Sequence, residues 1–299
     1  MTPQADNLFD EEFLRRLEQL HLIAKRIAAG SPAGVRASRG LGAGLEFADH
    51  RQYAPGDDPR FIDWPYYARM GKLLVRLFHE HSEAAVAVLV DCSGSMAPGG
   101  AREKFDYARR AAAALAYVAM GSGQRVLLLP FAADLGTPLH TGRSREGIMD
   151  VLDHLGRLEP GGQTRLTHCL DLFLRRHEPP GAVLIVSDLL DCREELGDGL
   201  RRLDGRRCAV TAIQVHAPAD AGLGLEGPVL LRDAETGREM SLAITPAVRE
   251  SYQRTWSDFQ AACRRACAAA GVTYVAAPTT VPFDMLVLET LRRAGVLSA

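Results

Sequence analysis

From residue 84 onward, short runs of continuous apolar residues alternate with longer segments whose apolar positions recur every three or four residues. The short runs AAVAVLVD (84–91), QRVLLLPF (124–131), AVLIVSD (182–188), CAVTAIQV (208–215) and VTYVAA (272–277) have strand length and lack helical periodicity. The longer segments, 102–121, 144–156, 165–177, 193–204 and 246–270, predict helices. Strands that are apolar on both faces need cover on both. The pattern therefore predicts an α/β fold with a doubly wound, mostly parallel sheet of the Rossmann type.

In the last of these helices Val248, Tyr252, Trp256, Phe259, Cys263, Cys267 and Ala270 form one stripe, and Gly271 stands where a helix stop belongs. PVLLRDAETGREMSLAI (228–244) predicts a hairpin with Gly237 in its turn, expected as an antiparallel addition to the sheet edge. The first 83 residues differ: a helix at 8–28, a Gly-rich stretch at 38–47, a polar block at 50–69 and a strand at 72–78. They predict an extension, 1–83, packed on an α/β domain, 84–299.

Composition narrows the function classes. Lys and Arg number 35 against 37 Asp and Glu, so no overall positive field recruits nucleic acid or anionic lipid, and neither nucleic acid nor membrane is expected as a partner. The longest apolar runs are far below the ~18 residues of a membrane span. The acidic, then amphipathic start lacks a secretory pattern, which predicts a cytoplasmic, unanchored protein. Of six cysteines (Cys92, Cys169, Cys192, Cys208, Cys263, Cys267) none forms the C-x-x-C spacing of a zinc site, so small buried thiols without disulfides are expected. His79 and His81 alternate on one strand without a third ligand and read as surface residues. GLGLEG (222–227) precedes a strand where a dinucleotide fingerprint must follow one, and no P-loop occurs, so the chain is not itself expected to be an ATPase.

The stretch LVDCSGSM (89–96) carries the chemistry. An apolar strand ending in one aspartate and two serines could hold a nucleophile, a phosphate or a metal ion. In an open parallel sheet the crevice beyond the carboxyl ends of the strands is where ligands bind, and Asp91, Ser93 and Ser95 fall there. One carboxylate and two hydroxyls are hard oxygen ligands, suited to Mg2+, Mn2+ or Ca2+. Two further oxygens stand at matching places: Thr164, after the glycines of EPGGQTRL, and Asp188, which ends the strand AVLIVSD. The alternative is that Asp91 or a serine merely caps the next helix.

The set Asp91, Ser93, Ser95, Thr164 and Asp188 resembles the metal-ion-dependent adhesion site of the von Willebrand factor A domain. The preceding block, EFADHRQYAPGDDPRFIDWPYYAR (46–69), resembles the bacterial family called domain of unknown function 58, which joins an R-x-Y-x-P-G-D-D-x-R-x-I-D-W signature to an A-like domain. The matching positions are Arg51, Tyr53, Pro55, Gly56, Asp57, Asp58, Arg60, Ile62, Asp63 and Trp64, and the likeness spans about 36–280. Gln163 occupies the place where that family more usually has Thr. The signature block reads either as a structural clasp, with Arg51, Arg60 and Arg69 facing Asp57, Asp58 and Asp63 and a type II turn at Pro55-Gly56, or as a partner-binding surface.

The resemblance implies a non-catalytic protein-binding module whose Mg2+, or another hard divalent cation, accepts an Asp or Glu from a partner. It also implies a MoxR-type AAA+ ATPase as that partner in complex assembly or remodelling. The alternative is a magnesium-dependent phosphoryl-transfer or hydrolytic enzyme. Against it, Ser93 stands where an aspartyl phosphotransferase would want a second carboxylate. Neither serine has the glycines of a hydrolase elbow.

Overall fold

The structure is a computed structural model and describes residues 8–30, 46–53, 62–79, 85–142, 144–177, 180–190, 196–204, 208–222 and 224–293. The chain forms two compact units, one of residues 1–34 and 85–299 and the other of residues 35–84.

The larger unit is built on six strands: β3 (Ala85–Asp91), β4 (Arg125–Phe131), β5 (Leu139–His140), β6 (Ala182–Ser187), β7 (Ala209–His216) and β10 (Thr273–Pro278). They lie in the order β10-β7-β6-β3-β4-β5, all parallel except β5, which pairs antiparallel with β4. In order of appearance this is the 3-2-1-4-5-6 arrangement, whose switch point lies between its first and fourth strands, here β3 and β6. The expected α/β, mostly parallel sheet is thus present.

Side chains alternate across each strand, so β3 feeds two cores. Val86, Val88 and Val90 join one core with helices Glu103–Gly121, Ile148–Gly156 and Phe283–Arg293. Ala87 and Leu89 join the other with Leu166–Arg176, Leu196–Asp204 and Pro246–Ala269. The stripe of the last helix is deep only in its second half, where Phe259, Cys263 and Cys267 are buried. No disulfide joins Cys92, Cys169, Cys208, Cys263 and Cys267; Cys192 lies outside the described residues.

Two expectations about organisation change. Helix Glu11–Gly30 belongs with the α/β body and not with the polar block, because Phe13, Leu17, Leu20 and Ala24 enter the core that holds Phe105 and Phe283. Burying each of Phe13, Leu17 and Leu20 contributes roughly 1.5–3 kcal/mol. The hairpin of β8 (Gly227–Arg232) and β9 (Glu239–Ile244) is a separate two-stranded sheet and not an edge of the large one. β8 alternates half-buried with exposed positions and β9 is almost wholly exposed, so neither offers an apolar face to a sheet covered on both sides.

In the smaller unit, β1 (Glu46–Gln52) pairs antiparallel with β2 (Leu74–His79), with a register shift between Phe47 and Asp49. Ile62 bridges to Val75.

Candidate metal centre

Asp91 is the last residue of β3 and is fully buried. Its Oδ1 accepts the Ser93 backbone N–H at 2.8 Å, and its Oδ2 accepts the Ser187 hydroxyl at 2.5 Å. Burial, and next the charge of neighbouring Asp188, push its carboxyl up to about 7 against the opposing hydrogen bonds. Among the described residues no salt bridge involves Asp91.

After β3 the chain makes a single 3₁₀ turn, Gly94–Met96, and the serine hydroxyls do not cap it. Instead the Ser93 and Ser95 Oγ atoms lie 3.0 Å apart, with Ser93 buried and Ser95 half-buried. Oxygens about 2.1 Å from one magnesium, on neighbouring corners of an octahedron, are separated by roughly 3.0 Å. The serine pair therefore fits an octahedral shell, and a buried carboxylate without a cationic partner supplies the charge such an ion needs.

The 160–164 loop is tied to this turn by backbone bonds, Gly161 N–H to the Cys92 carbonyl (2.7 Å) and Gly94 N–H to the Gly162 carbonyl (2.9 Å). Gly162 has φ +79°, a conformation that glycine adopts without side-chain strain. Thr164, 2% exposed, stands at the entry to helix Leu166–Arg176. Its side chain finds a partner that the sequence did not suggest: the hydroxyl donates to Glu235 Oε1 (2.8 Å), and its backbone N–H donates to Glu235 Oε2 (3.1 Å).

Asp188 follows β6 and is buried beside Asp91, but it is already neutralised. Its Oδ2 accepts from Lys104 Nζ at 2.8 Å and its Oδ1 from the Leu190 N–H at 3.2 Å. Lys104 also reaches Asp220 Oδ1 at 3.2 Å. Burial draws the Lys104 ammonium pKa down, yet Asp188 and Asp220 outweigh it and the net shift is upward. The Asp188 carbonyl accepts from Gln214 Nε2, whose Oε1 accepts the Tyr274 hydroxyl. Leu189 holds a left-handed φ of +59°, unusual for a branched residue; its N–H donates to Ser187 Oγ.

The tip of the β8–β9 hairpin closes over the serine turn. A Cβ on Gly94 would meet the Ala234 carbonyl oxygen at 2.6 Å, so the hairpin backbone seats where a side chain would stand. A cleft of about 540 Å3 remains between them, lined by Gly94, Ala97, Gly161, Asp233 and Glu235 among others.

The sequence-expected residues thus divide. Asp91, Ser93 and Ser95 form one bonded turn, Asp188 adjoins it through Ser187, and Thr164 is brought by its loop but held by Glu235. Ser187, Lys104 and Glu235 were not singled out. Ser187 had a signal, its place before a strand-end aspartate; a lysine in a first helical turn and a glutamate in a polar hairpin turn read as solvated.

In the signature block Pro55, Gly56, Asp57, Asp58 and Arg60 lie outside the described residues, as do His81 and the side chains of Arg51 and His79. Arg51 pairs with Val75 across β1 and β2, and the Tyr53 N–H donates to the Leu73 carbonyl. Asp63 caps helix Trp64–Met70 by accepting from the Tyr66 N–H at 2.9 Å, while Arg69 Nε donates to the Pro65 carbonyl. Trp64 is 56% exposed and meets Tyr67 edge-on. No cluster of three or more His, Cys, Asp or Glu side chains suited to a metal stands among the described residues, and none of their helices is long and apolar enough to cross a membrane.

Uncharacterized proteins of Mycobacterium bovis and Mycobacterium tuberculosis are each 30% identical to this chain over 295 residues, 97% of its length and 92% of theirs. Among solved structures, the conserved hypothetical protein BatB of Bacteroides thetaiotaomicron is 16% identical with a TM-score of 0.48, covering 71% of this chain and 99% of its own. A von Willebrand factor type A structure from Catenulispora acidiphila is 13% identical with a TM-score of 0.44, covering 74% and 43%. The profile of the family described as "Protein of unknown function DUF58" matches residues 49–262, and with relatives of this identity and coverage the chain belongs to that family.

Proposed function

We propose that the protein is a non-catalytic, divalent-cation-dependent protein-binding module. The observation that carries this reading is the end of β3: a fully buried carboxylate with no salt bridge among the described residues, beside two hydroxyl oxygens 3.0 Å apart at the switch point of the sheet. Asp91, Ser93 and Ser95 would hold Mg2+, or Mn2+ or Ca2+, with Thr164 and Asp188 completing the set. The cation would supply a Lewis-acidic position to which an acidic side chain of a partner binds. Asp91 would contribute charge and the serines neutral oxygens. Because acidic side chains are common on protein surfaces, selectivity comes from complementarity around this point.

The partner we propose is a MoxR-type AAA+ ATPase, the kind that the family resemblance suggests, with the protein acting as its adaptor in assembly or remodelling in the cytoplasm. The enzymatic alternative gains no support from the serine turn, since a neutral hydroxyl, Ser93, stands where an aspartyl phosphotransferase would want its acid–base carboxylate. The test is capture of the organism's own MoxR-type ATPase on immobilised protein with Mg2+, with chelator, and with Asp91→Asn. Binding that requires both Mg2+ and Asp91 is expected. Capture indifferent to chelator contradicts metal dependence, and absence of capture contradicts the ATPase as partner.

A further inference from the structure

The β8–β9 hairpin stands apart from the six-stranded sheet. Among the described residues it shares no ladder bond with the six-stranded sheet, yet its tip reaches the strand-end crevice. In its turn Asp233, Ala234 and Thr236 are exposed, and Glu235 is turned inward. The turn is shaped by Asp233, whose Oδ1 accepts the Glu235 N–H (3.1 Å), the Thr236 N–H (2.6 Å) and the Thr236 hydroxyl (2.7 Å). Glu235 is thereby released from turn-making, and both of its carboxylate oxygens go to Thr164.

We infer that Glu235 is a ligand supplied by the chain itself: its carboxylate takes the coordination position that a partner's acidic side chain would otherwise fill, so the hairpin is a built-in competitor for the site. This rests on the cation-dependent reading above and deepens it. The supporting contact is the Thr164 hydroxyl donating to Glu235 Oε1 at 2.8 Å, which sets the carboxylate against an expected ligand on the loop that is tied to the serine turn. The close seating of Ala234 on Gly94 fixes the tip over the serine turn, so the carboxylate is delivered by backbone packing and not by a long free side chain. Lifting the tip breaks no bond of the large sheet, which makes exchange between Glu235 and an outside acid possible without unfolding the domain. The partner class that follows is a protein surface presenting an Asp or Glu at the end of a projection able to displace a hairpin turn.

The test uses Mn2+ as the probe on full-length protein, comparing wild type, Glu235→Ala and Asp91→Asn by affinity and by water-proton relaxation of the bound ion. Glu235→Ala is expected to weaken Mn2+ roughly tenfold, since ligand charge sets affinity, and to add one water to the bound ion. Equal affinity and equal relaxation in wild type and Glu235→Ala, with binding still lost in Asp91→Asn, overturns the self-ligand and leaves the cation site standing. Mn2+ that binds no variant, or binds Asp91→Asn as well as wild type, overturns both. Because Asp233 shapes the turn, Glu235→Ala keeps the hairpin, and a far-ultraviolet dichroism spectrum matching wild type verifies it.

Discussion

Strands β3 and β6 run side by side, and each has an aspartate where it leaves the sheet, yet the two carboxylates are satisfied in opposite ways. Asp188 has its counter-charge from within the chain: Lys104 lies 2.8 Å away, and both side chains are 2% exposed. Among the described residues Asp91 meets neutral donors, the Ser187 hydroxyl and the N–H and hydroxyl of Ser93, and its carboxyl is pushed up to about 7 by burial and by Asp188. A folded chain can neutralise a buried carboxylate with its own lysine, with a proton or with a bound cation. The β6 end has taken the first route. The β3 end is left to the other two, which is why it and not its neighbour reads as the site.

The largest effect expected from breaking this comparison is at the β6 end. Lys104→Met strips the cation from a buried carboxylate and should cost about 3–5 kcal/mol in chemical denaturation, while Lys104→Met with Asp188→Asn should recover most of it. A single-variant loss below about 1 kcal/mol would mean the pair behaves as a solvent-screened one. Next comes the pH dependence of the β3 end with chelator present. Asp91 binds its proton more tightly folded than unfolded, so its contribution to stability is greatest at low pH. That contribution falls as pH rises from about 4, where the unfolded carboxyl titrates, to about 7. The difference between wild type and Asp91→Asn across that window should be on the order of 3 kcal/mol, with wild type the one that weakens; a constant difference would contradict the assignment. The smallest effect is Tyr274→Phe, which leaves Gln214 Oε1 without its donor behind Asp188. It should cost about 1–2 kcal/mol by thermal denaturation and leave the behaviour of Asp91 unchanged.

The five long strands of the sheet and most of their flanking helices were legible because continuous apolar runs and three-to-four periodicity report burial directly, but the helix Phe283–Arg293, which shares the core with Phe105, was not expected. β5, only Leu139–His140, is too short to leave a pattern, so the antiparallel edge was missed and assigned to the hairpin. The hairpin itself was legible as two strands around a turn, but where it docks is a tertiary fact that its alternation does not encode. Asp91, Ser93 and Ser95 were legible because one turn of chain holds all three. Thr164 and Asp188 were expected from their place after glycines and after a strand, and the chain brings one by the loop bonded to the turn and the other beside Asp91. Lys104, in the first turn of the next helix, and Glu235, distant in sequence, look like ordinary solvated charges, since nothing local says that packing will bury one and turn the other inward. Asp63 caps the helix Trp64–Met70, a role for which its place before Trp64-Pro65 is the local signal.

The most direct measurement is calorimetric titration of chelator-stripped protein with Mg2+, wild type beside Asp91→Asn. The account expects saturable binding at one site per chain in wild type and none in Asp91→Asn. Superimposable titrations of the two proteins would contradict it.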